Sequence, residues 1–197
     1  EIINGQDDGD IIFKSDDGSG GLETYFFLDG SSGHTTFPDS KILSFGNSQD
    51  LRINHDGSTA SIFNTTGNLQ IINYADNSDI KFMSDDGSGG VETYFFLDGS
   101  LSSGSPFTTF PDQSRANFGT GNDMQIYHDG TNTYMYNNGG DLKIMQAKAD
   151  KDLILMCDDG SGGETAYLTL DGGIGYTTAQ KHILFEDNVK ARFGSGS

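Results

Sequence analysis

Carboxylates dominate the groups in this sequence that could do chemistry, and they come in fixed company. Asp16-Asp17-Gly18-Ser19-Gly20-Gly21 recurs as Asp85-Asp86-Gly87-Ser88-Gly89-Gly90 and as Asp158-Asp159-Gly160-Ser161-Gly162-Gly163. Clustered carboxylates and hydroxyls on a glycine-bent loop can supply the hard oxygen ligands that calcium takes. Asp16, Asp17, Asp85, Asp86, Asp158 and Asp159 are therefore the candidate calcium ligands, although their spacing is not that of an EF-hand. The same residues also suit a solvated tight turn, where Asp accepts backbone N–H groups and Gly takes positive φ. His55-Asp56-Gly57 and His128-Asp129-Gly130 form a second recurring group. A histidine beside a carboxylate can act as a base in nucleophilic catalysis, but no serine here stands in a nucleophile-elbow context. If three chains met on an axis, His55 and His128 would be candidates for an axial transition-metal site. The other reading of both is an ordinary turn. His34 and His182 fall outside the motif and carry no signal.

Two further chemistries bear on these residues. Polysaccharide cleavage by paired acids needs unique carboxylates in one cleft, whereas these acids repeat with the scaffold and mark no single site. The runs Thr24-Tyr25-Phe26-Phe27-Leu28 and Thr93-Tyr94-Phe95-Phe96-Leu97 could stack on glycans. Consecutive residues of a strand point to opposite faces, so these aromatics fit better as packing for a strand covered on both sides. Cys157 is the single cysteine, which excludes an intrachain disulfide framework. Its place in the run Leu153-Ile154-Leu155-Met156-Cys157 predicts a buried, unreactive thiol.

The elements that must position these residues are themselves repeated. From Asp16 to Asp85 is 69 positions and from Asp85 to Asp158 is 73. The order of landmarks is constant: Leu-Asp-Gly at Asp29, Asp98 and Asp171; Phe37-Pro38-Asp39, Phe110-Pro111-Asp112 and, more loosely, Phe185-Glu186-Asp187; then Phe45-Gly46, Phe118-Gly119 and Phe193-Gly194. The division predicted is 1–15 as the end of a preceding repeat, 16–84 as repeat 1, 85–157 as repeat 2 and 158–197 as a partial repeat 3. Length varies only between Leu-Asp-Gly and the following landmark Phe. That marks an insertion-tolerant surface loop, clearest at Ser100 to Pro106. Glu1-Ile2-Ile3-Asn4 aligns with Gln70-Ile71-Ile72-Asn73, and Phe193 to Ser197 aligns with Phe118 to Asn122, or alternatively ends in a linker. Both ends thus fall in mid-repeat, and further repeats are expected in the parent protein.

Helical periodicity is missing. Its best window, Gln146 to Ile154, matches a turn-like stretch in the other copy. Short alternating runs are abundant and predict strands at Asp10–Lys14, Thr24–Leu28, His34–Phe37, Ile42–Phe45, Leu51–Asn54, Ser61–Asn64 and Leu69–Ile72. Their copies are Ile80–Met83, Thr93–Leu97, Thr108–Phe110, Met124–Tyr127, Thr133–Tyr136 and Leu142–Met145. Asp-Gly, Asn-Gly and Gly-Gly steps separate them. The fold class is all-β, and such short strands need neighbours to be stable. An elongated homotrimeric fibre is the first expectation and a single-chain β-solenoid the alternative. No 20–30-residue coil period is evident within the seventy, which disfavours the solenoid.

Net charge is −18, from 29 acidic and 11 basic residues. So negative a chain repels nucleic-acid phosphates and anionic membrane surfaces. No apolar run approaches the length of a membrane span.

The phrases Phe45 to Gly57 and Phe118 to Gly130, read as Phe-Gly-x-x-x-Asp-Leu/Met-x-Ile-x-His-Asp-Gly, with Gly140-Asp141-Leu142 after them, resemble tandem repeats in tail fibres and other virion structural proteins of marine bacteriophages. The resemblance implies a virion or extracellular location, a trimer of identical chains, other virion proteins as partners and a host glycan or protein receptor beyond them. It implies no activity. The expected function is a non-enzymatic shaft segment supporting host attachment. A secreted bacterial adhesin and a polysaccharide-degrading tail spike are the alternatives. Roughly seven strands per repeat, stacked at about 4.8 Å, would give at most about 35 Å per repeat.

Overall fold

A computed structural model describes residues 1–101 and 104–194. Ser102 and Ser103 of the expected insertion, and Ser195 to Ser197 of the last aligned segment, lie outside the described residues. The described chain is all-β. Its fifteen strands form five three-stranded antiparallel sheets, each ordered as the chain runs. It divides into two compact units, Glu1–Ile80 and Lys81–Ser197.

Unit 1 contains two meanders. The first joins β1 (Ile11–Asp16), β2 (Leu22–Asp29) and β3 (His34–Thr36), with Phe13 opposite Phe26 and Phe27 opposite Thr36. The second joins β4 (Ile42–Phe45), β5 (Leu51–His55) and β6 (Ala60–Asn64), with Ile53 opposite both Leu43 and Ile62. Alternating apolar and polar residues make each strand, and acidic turns join them.

Unit 2 repeats the scheme. The strand β7 (Ile80–Asp85), whose first residue closes unit 1, pairs with β8 (Val91–Asp98) and that with β9 (Phe107–Thr109). Next come β10 (Ala116–Phe118), β11 (Met124–His128) and β12 (Thr133–Asn137), then β13 (Leu153–Asp158), β14 (Glu164–Leu170) and β15 (Thr177–Ala179). Counted from the strand before each Asp-Asp-Gly turn, a few residues ahead of the divisions at 16, 85 and 158, a repeat is two unlike meanders in alternation, with six strands rather than the seven expected. Among the described residues the sheet pairings are antiparallel and join only strands consecutive in the chain. The parallel stacking of successive coils that a solenoid requires is not among them.

The seventh expected strand does not form in this chain. Leu69–Ile72 and Leu142–Met145 have no strand partner among the described residues, in spite of their alternation. A strand exists only through its neighbour's backbone, and the three-stranded meander before each segment closes without it. Gln146 onward is a turn, as its match to the turn-like stretch of the other copy predicts: Gln146 Oε1 accepts the Lys148 N–H at 3.0 Å, and the Lys151 N–H reaches Lys148 O at 3.2 Å.

Aromatic ladders cross the first sheet of repeats 1 and 2. Phe13, Phe26 and Phe37 stack in sequence with centroids 4.3 and 5.4 Å apart, and Phe82, Phe95 and Phe110 follow at 4.5 and 5.7 Å. Each contact of this kind contributes about 0.5–1.5 kcal/mol beyond area burial. The ladders nevertheless stay partly open. No hydrophobic side chain is buried among the described residues, and the two buried side chains, Gln125 and Thr169, are polar. The accessible surface is 15986 Å², against about 9,000 Å² for a compact monomer of this mass. The aromatic strands expected to be covered on both faces are only partly covered within the chain: Phe26, Phe27, Phe95 and Phe96 are half-buried, and Tyr25 and Tyr94 are exposed. Cys157, expected to be buried, is exposed, because nothing in its own chain covers that face of β13.

The elastic loop proves to be two. In repeat 2 the extra residues lie between β8 and β9, in the segment that includes Ser100 to Pro106. In repeat 3 the turn after β14 keeps the length of repeat 1: Gly175 N–H reaches Asp171 O at 3.0 Å, as Gly33 N–H reaches Asp29 O at 2.9 Å. The added residues there follow β15. The loosely matched landmark is nevertheless kept, since Val189 N–H reaches Glu186 O at 3.1 Å as Lys41 N–H reaches Pro38 O at 3.0 Å.

Candidate functional site

The Asp-Asp-Gly loops are the hairpin turns between the first two strands of each repeat. Asp16 Oδ1 accepts the Gly18 N–H at 2.8 Å, and Asp17 Oδ1 accepts the N–H groups of Ser19 at 2.7 Å and Gly21 at 3.0 Å. Asp85 and Asp86 take Gly87 and Ser88 at 2.7 Å each. Asp158 takes Gly160 at 2.7 Å, and Asp159 takes Ser161 at 2.7 Å and Gly163 at 3.1 Å. One oxygen of every candidate carboxylate is thus committed to its own turn. The Gly21 N–H, and then that of Ser19, hold the Asp17 carboxyl below its ordinary range; Asp159 is lowered by Ser161 and then Gly163. Among the described residues no three His, Cys, Asp or Glu side chains converge to hold a metal ion.

The His-Asp-Gly turns are built differently from their sequence. The adjacent carboxylate is not the partner of the imidazole. Asp56 closes its own turn by accepting Ser58 and Thr59 N–H at 2.9 and 2.8 Å, and Asp129 does the same with Thr131 and Asn132 at 2.8 Å each. The carboxylate that meets His55 is Asp39, from the Phe-Pro-Asp landmark, with Oδ1 2.8 Å from Nδ1; Asp112 meets His128 at 3.1 Å. Nδ1 also faces a backbone N–H, from Gly57 at 3.1 Å or Gly130 at 3.0 Å. A protonated Nδ1 serves the carboxylate and a bare one serves the glycine. The Ser40 N–H to His55 O and Gln113 N–H to His128 O bonds, 2.7 and 2.8 Å, tie the same corner together. The arrangement fastens the Phe-Pro-Asp connector to the second meander of its repeat.

Sequence reasoning missed Asp39 and Asp112 as partners. Their signal was available, since each precedes its histidine by 16 residues. No family model, curated protein or solved structure matches this chain. Its functional reading therefore rests on its own geometry.

Leu-Asp-Gly has a structural explanation of its own. Asp29 Oδ1 accepts Ser31 and Ser32 N–H at 3.0 and 2.9 Å, while Gly30 N–H donates to Asp10 Oδ1 at 3.0 Å. A Cβ on Gly30 would lie 2.3 Å from Gly9 O, and one on Gly172 would lie 2.3 Å from Lys151 O. Only glycine allows this approach of two backbones.

Proposed function

We propose that the chain is a non-enzymatic structural segment of a homotrimeric fibre, of the tail-fibre kind, supporting attachment of a virion to its host. The observation that carries the reading is the unburied apolar surface. A chain with this many Phe, Tyr, Ile and Leu side chains and no buried hydrophobic core among its described residues has its folding contacts still to make. The unpaired segments strengthen this. Ile71 is 63% exposed and Met145 82%, each on a strand-like alternation with open backbone groups, and such a segment is a template for pairing with another chain. Identical repeats present identical faces at intervals, which suits side-by-side association of identical chains. The turns use their carboxylates to fix backbone, a scaffold role and not a substrate-facing one. The virion placement rests on the resemblance of the Phe-Gly to His-Asp-Gly repeat. Sedimentation equilibrium at low micromolar concentration tests the assembly: a mass of three chains is expected, and a stable, folded monomer would overturn it.

A further inference from the structure

Repeats 1 and 2 differ at one corner in a way that opens a site. Lys41 and Ser114 hold the same place in their turns, with N–H groups donating to Pro38 O at 3.0 Å and Pro111 O at 2.9 Å. In repeat 1 the Lys41 side chain is 20% exposed, and its Nζ lies 2.5 Å from Glu23 Oε1. The same ammonium is 6.0 Å from the centroid of the Tyr25 ring. A carboxylate and an aromatic face both attract an ammonium, so the first repeat satisfies this corner with its own chain.

In repeat 2 the receiving side is intact and the donor is gone. Glu92 and Tyr94 occupy the positions of Glu23 and Tyr25, and the Tyr94 hydroxyl is anchored to Asp85 O at 3.0 Å as that of Tyr25 is to Asp16 O at 3.0 Å. Ser114 turns its hydroxyl to the Tyr94 carbonyl. With no lysine stem present, a cavity of about 470 Å³ is lined by Asp86, Glu92, Tyr94, Asp112, Ser114 and Arg115 among others. Arg115 does not replace the ammonium. Its Nη1 donates to Gln125 Oε1 at 2.6 Å, and its guanidinium lies 4.3 Å from the Tyr127 ring centroid. Among the described residues Glu92 has no ion-pair partner. Repeat 3 has Thr165 in place of Glu23 and Val189 in place of Lys41; it keeps the ring, Tyr167, with Lys181 Nζ 5.7 Å from its centroid, but has no carboxylate at the Glu23 position.

We infer that this cavity of the second repeat binds an organic primary ammonium, with Glu92 as the ion-pair partner and the Tyr94 ring beside it, as Glu23 and Tyr25 hold Lys41. The ammonium belongs either to a small hydroxylated molecule such as an amino sugar or to a lysine side chain of another polypeptide. The chemistry at the cavity is the same for both. The cavity is within the range of small-ligand sites, and Thr93, Gln113 and Ser114 along its wall offer hydroxyl and amide groups to a polar carrier.

The test is a binding titration of the full chain, by calorimetry and by saturation-transfer NMR, with glucosamine, N-acetylglucosamine and Nα-acetyl-lysine amide. Glucosamine, the lysine amide or both should bind at one site per chain, and uncharged N-acetylglucosamine should not. Glu92→Gln should weaken binding about fivefold, and Ser114→Lys should abolish it by supplying the internal ammonium. Lys41→Ser should add a second site per chain, a gain that misfolding cannot imitate. Preference for glucosamine assigns the ammonium to a small molecule. Preference for the lysine amide, with a fall in sedimenting mass for Glu92→Gln, assigns it to a neighbouring chain. No binding by the unaltered chain, binding indifferent to Glu92→Gln and Ser114→Lys, or no added site in Lys41→Ser would each overturn the inference. A monomeric chain would sink the fibre reading and leave this one standing.

Discussion

The hydroxyl of Tyr25 donates to the backbone carbonyl of Asp16 at 3.0 Å, from the second strand of a hairpin back to the start of its turn. Tyr94 does the same to Asp85 at 3.0 Å and Tyr167 to Asp158 at 3.1 Å. The register explains how. Phe13 pairs with Phe26 and Lys14 with Thr24, so Tyr25 is the extra residue of a β-bulge, and Tyr167 is its counterpart between Leu168 and Ala166. A bulge re-aims a side chain, and here it aims the tyrosine along the hairpin to the Asp-Asp-Gly turn. Tyr25→Phe should cost about 1 kcal/mol locally. Exchange of the Asp17 amide, which closes the turn on Gly21 O at 3.0 Å, should then quicken by about fivefold. Unchanged exchange would mean that the turn does not depend on the hydroxyl.

Gly30 and Gly5 make a matched pair for a second measurement. Gly30→Ala drives a methyl against Gly9 O, while a Cβ on Gly5 meets nothing within 4 Å. Overpacking against backbone costs about 1–3 kcal/mol. The melting temperature should fall clearly for Gly30→Ala and stay within error for Gly5→Ala. Equal effects would show that the close approach of the two backbones is not a constraint.

The unpaired segments give a prediction about assembly alone. Ile71→Asp and Ile144→Asp alter no strand pairing within the chain, because neither residue is in a sheet. Far-ultraviolet circular dichroism of the chain should keep its β signature while the sedimenting mass falls from three chains toward one. An unchanged mass would remove these segments from the interface.

Acid should loosen the turns. Asp17, Asp29, Asp56, Asp98, Asp129 and Asp159 all titrate below the ordinary aspartate value; the largest causes are Gly21 N–H, the Ser31 hydroxyl, Thr59 N–H, the Ser100 hydroxyl, Asn132 N–H and Ser161 N–H respectively. A carboxyl whose folded pKa lies below its unfolded one binds fewer protons when folded. Its contribution is therefore full above the unfolded pKa of about 3.9 and is lost as pH falls through the lower folded value. Protonation also relieves the self-repulsion of a chain of charge −18, which acts in the opposite sense. Asp17→Asn separates the two, keeping the acceptor and removing the titration at the turn. The acid fall in melting temperature should be shallower in that variant than in the unaltered chain. Parallel curves would rule out the turn carboxylate as a source of the acid sensitivity.

Calcium is tested by melting with and without a chelator. Each Asp-Asp-Gly turn closes on its own backbone, so the expected melting temperature is the same in both. A drop on chelation would mean that neighbouring chains complete a cation site around Asp16, Asp17 and their copies.

Local chemistry made the fold class legible in the sequence. Alternating strands, Asx-type turns and positive-φ glycines are all decided within a few residues, and Asp17 with Gly21 or Asp29 with Ser31 needed nothing remote. The two kinds of meander in each repeat, and the strand that fails to form at Leu69–Ile72, were not legible. Alternation shows that a segment can pair, but only a neighbouring backbone decides whether it does. The same holds at the corner sites. His55 stands beside Asp56 in sequence and meets Asp39 in space; Lys41 reads as one surface charge among many and lies against Glu23. Chain connectivity fixed the tight turns, whereas the path of the connector between the two meanders chose which carboxylate meets the imidazole and which ammonium fills the corner. The apolar surface follows the same division. Composition established that Phe, Tyr and Ile were present to be buried, and only the tertiary structure, in which each small sheet has too little area to cover its own faces, placed them at the surface.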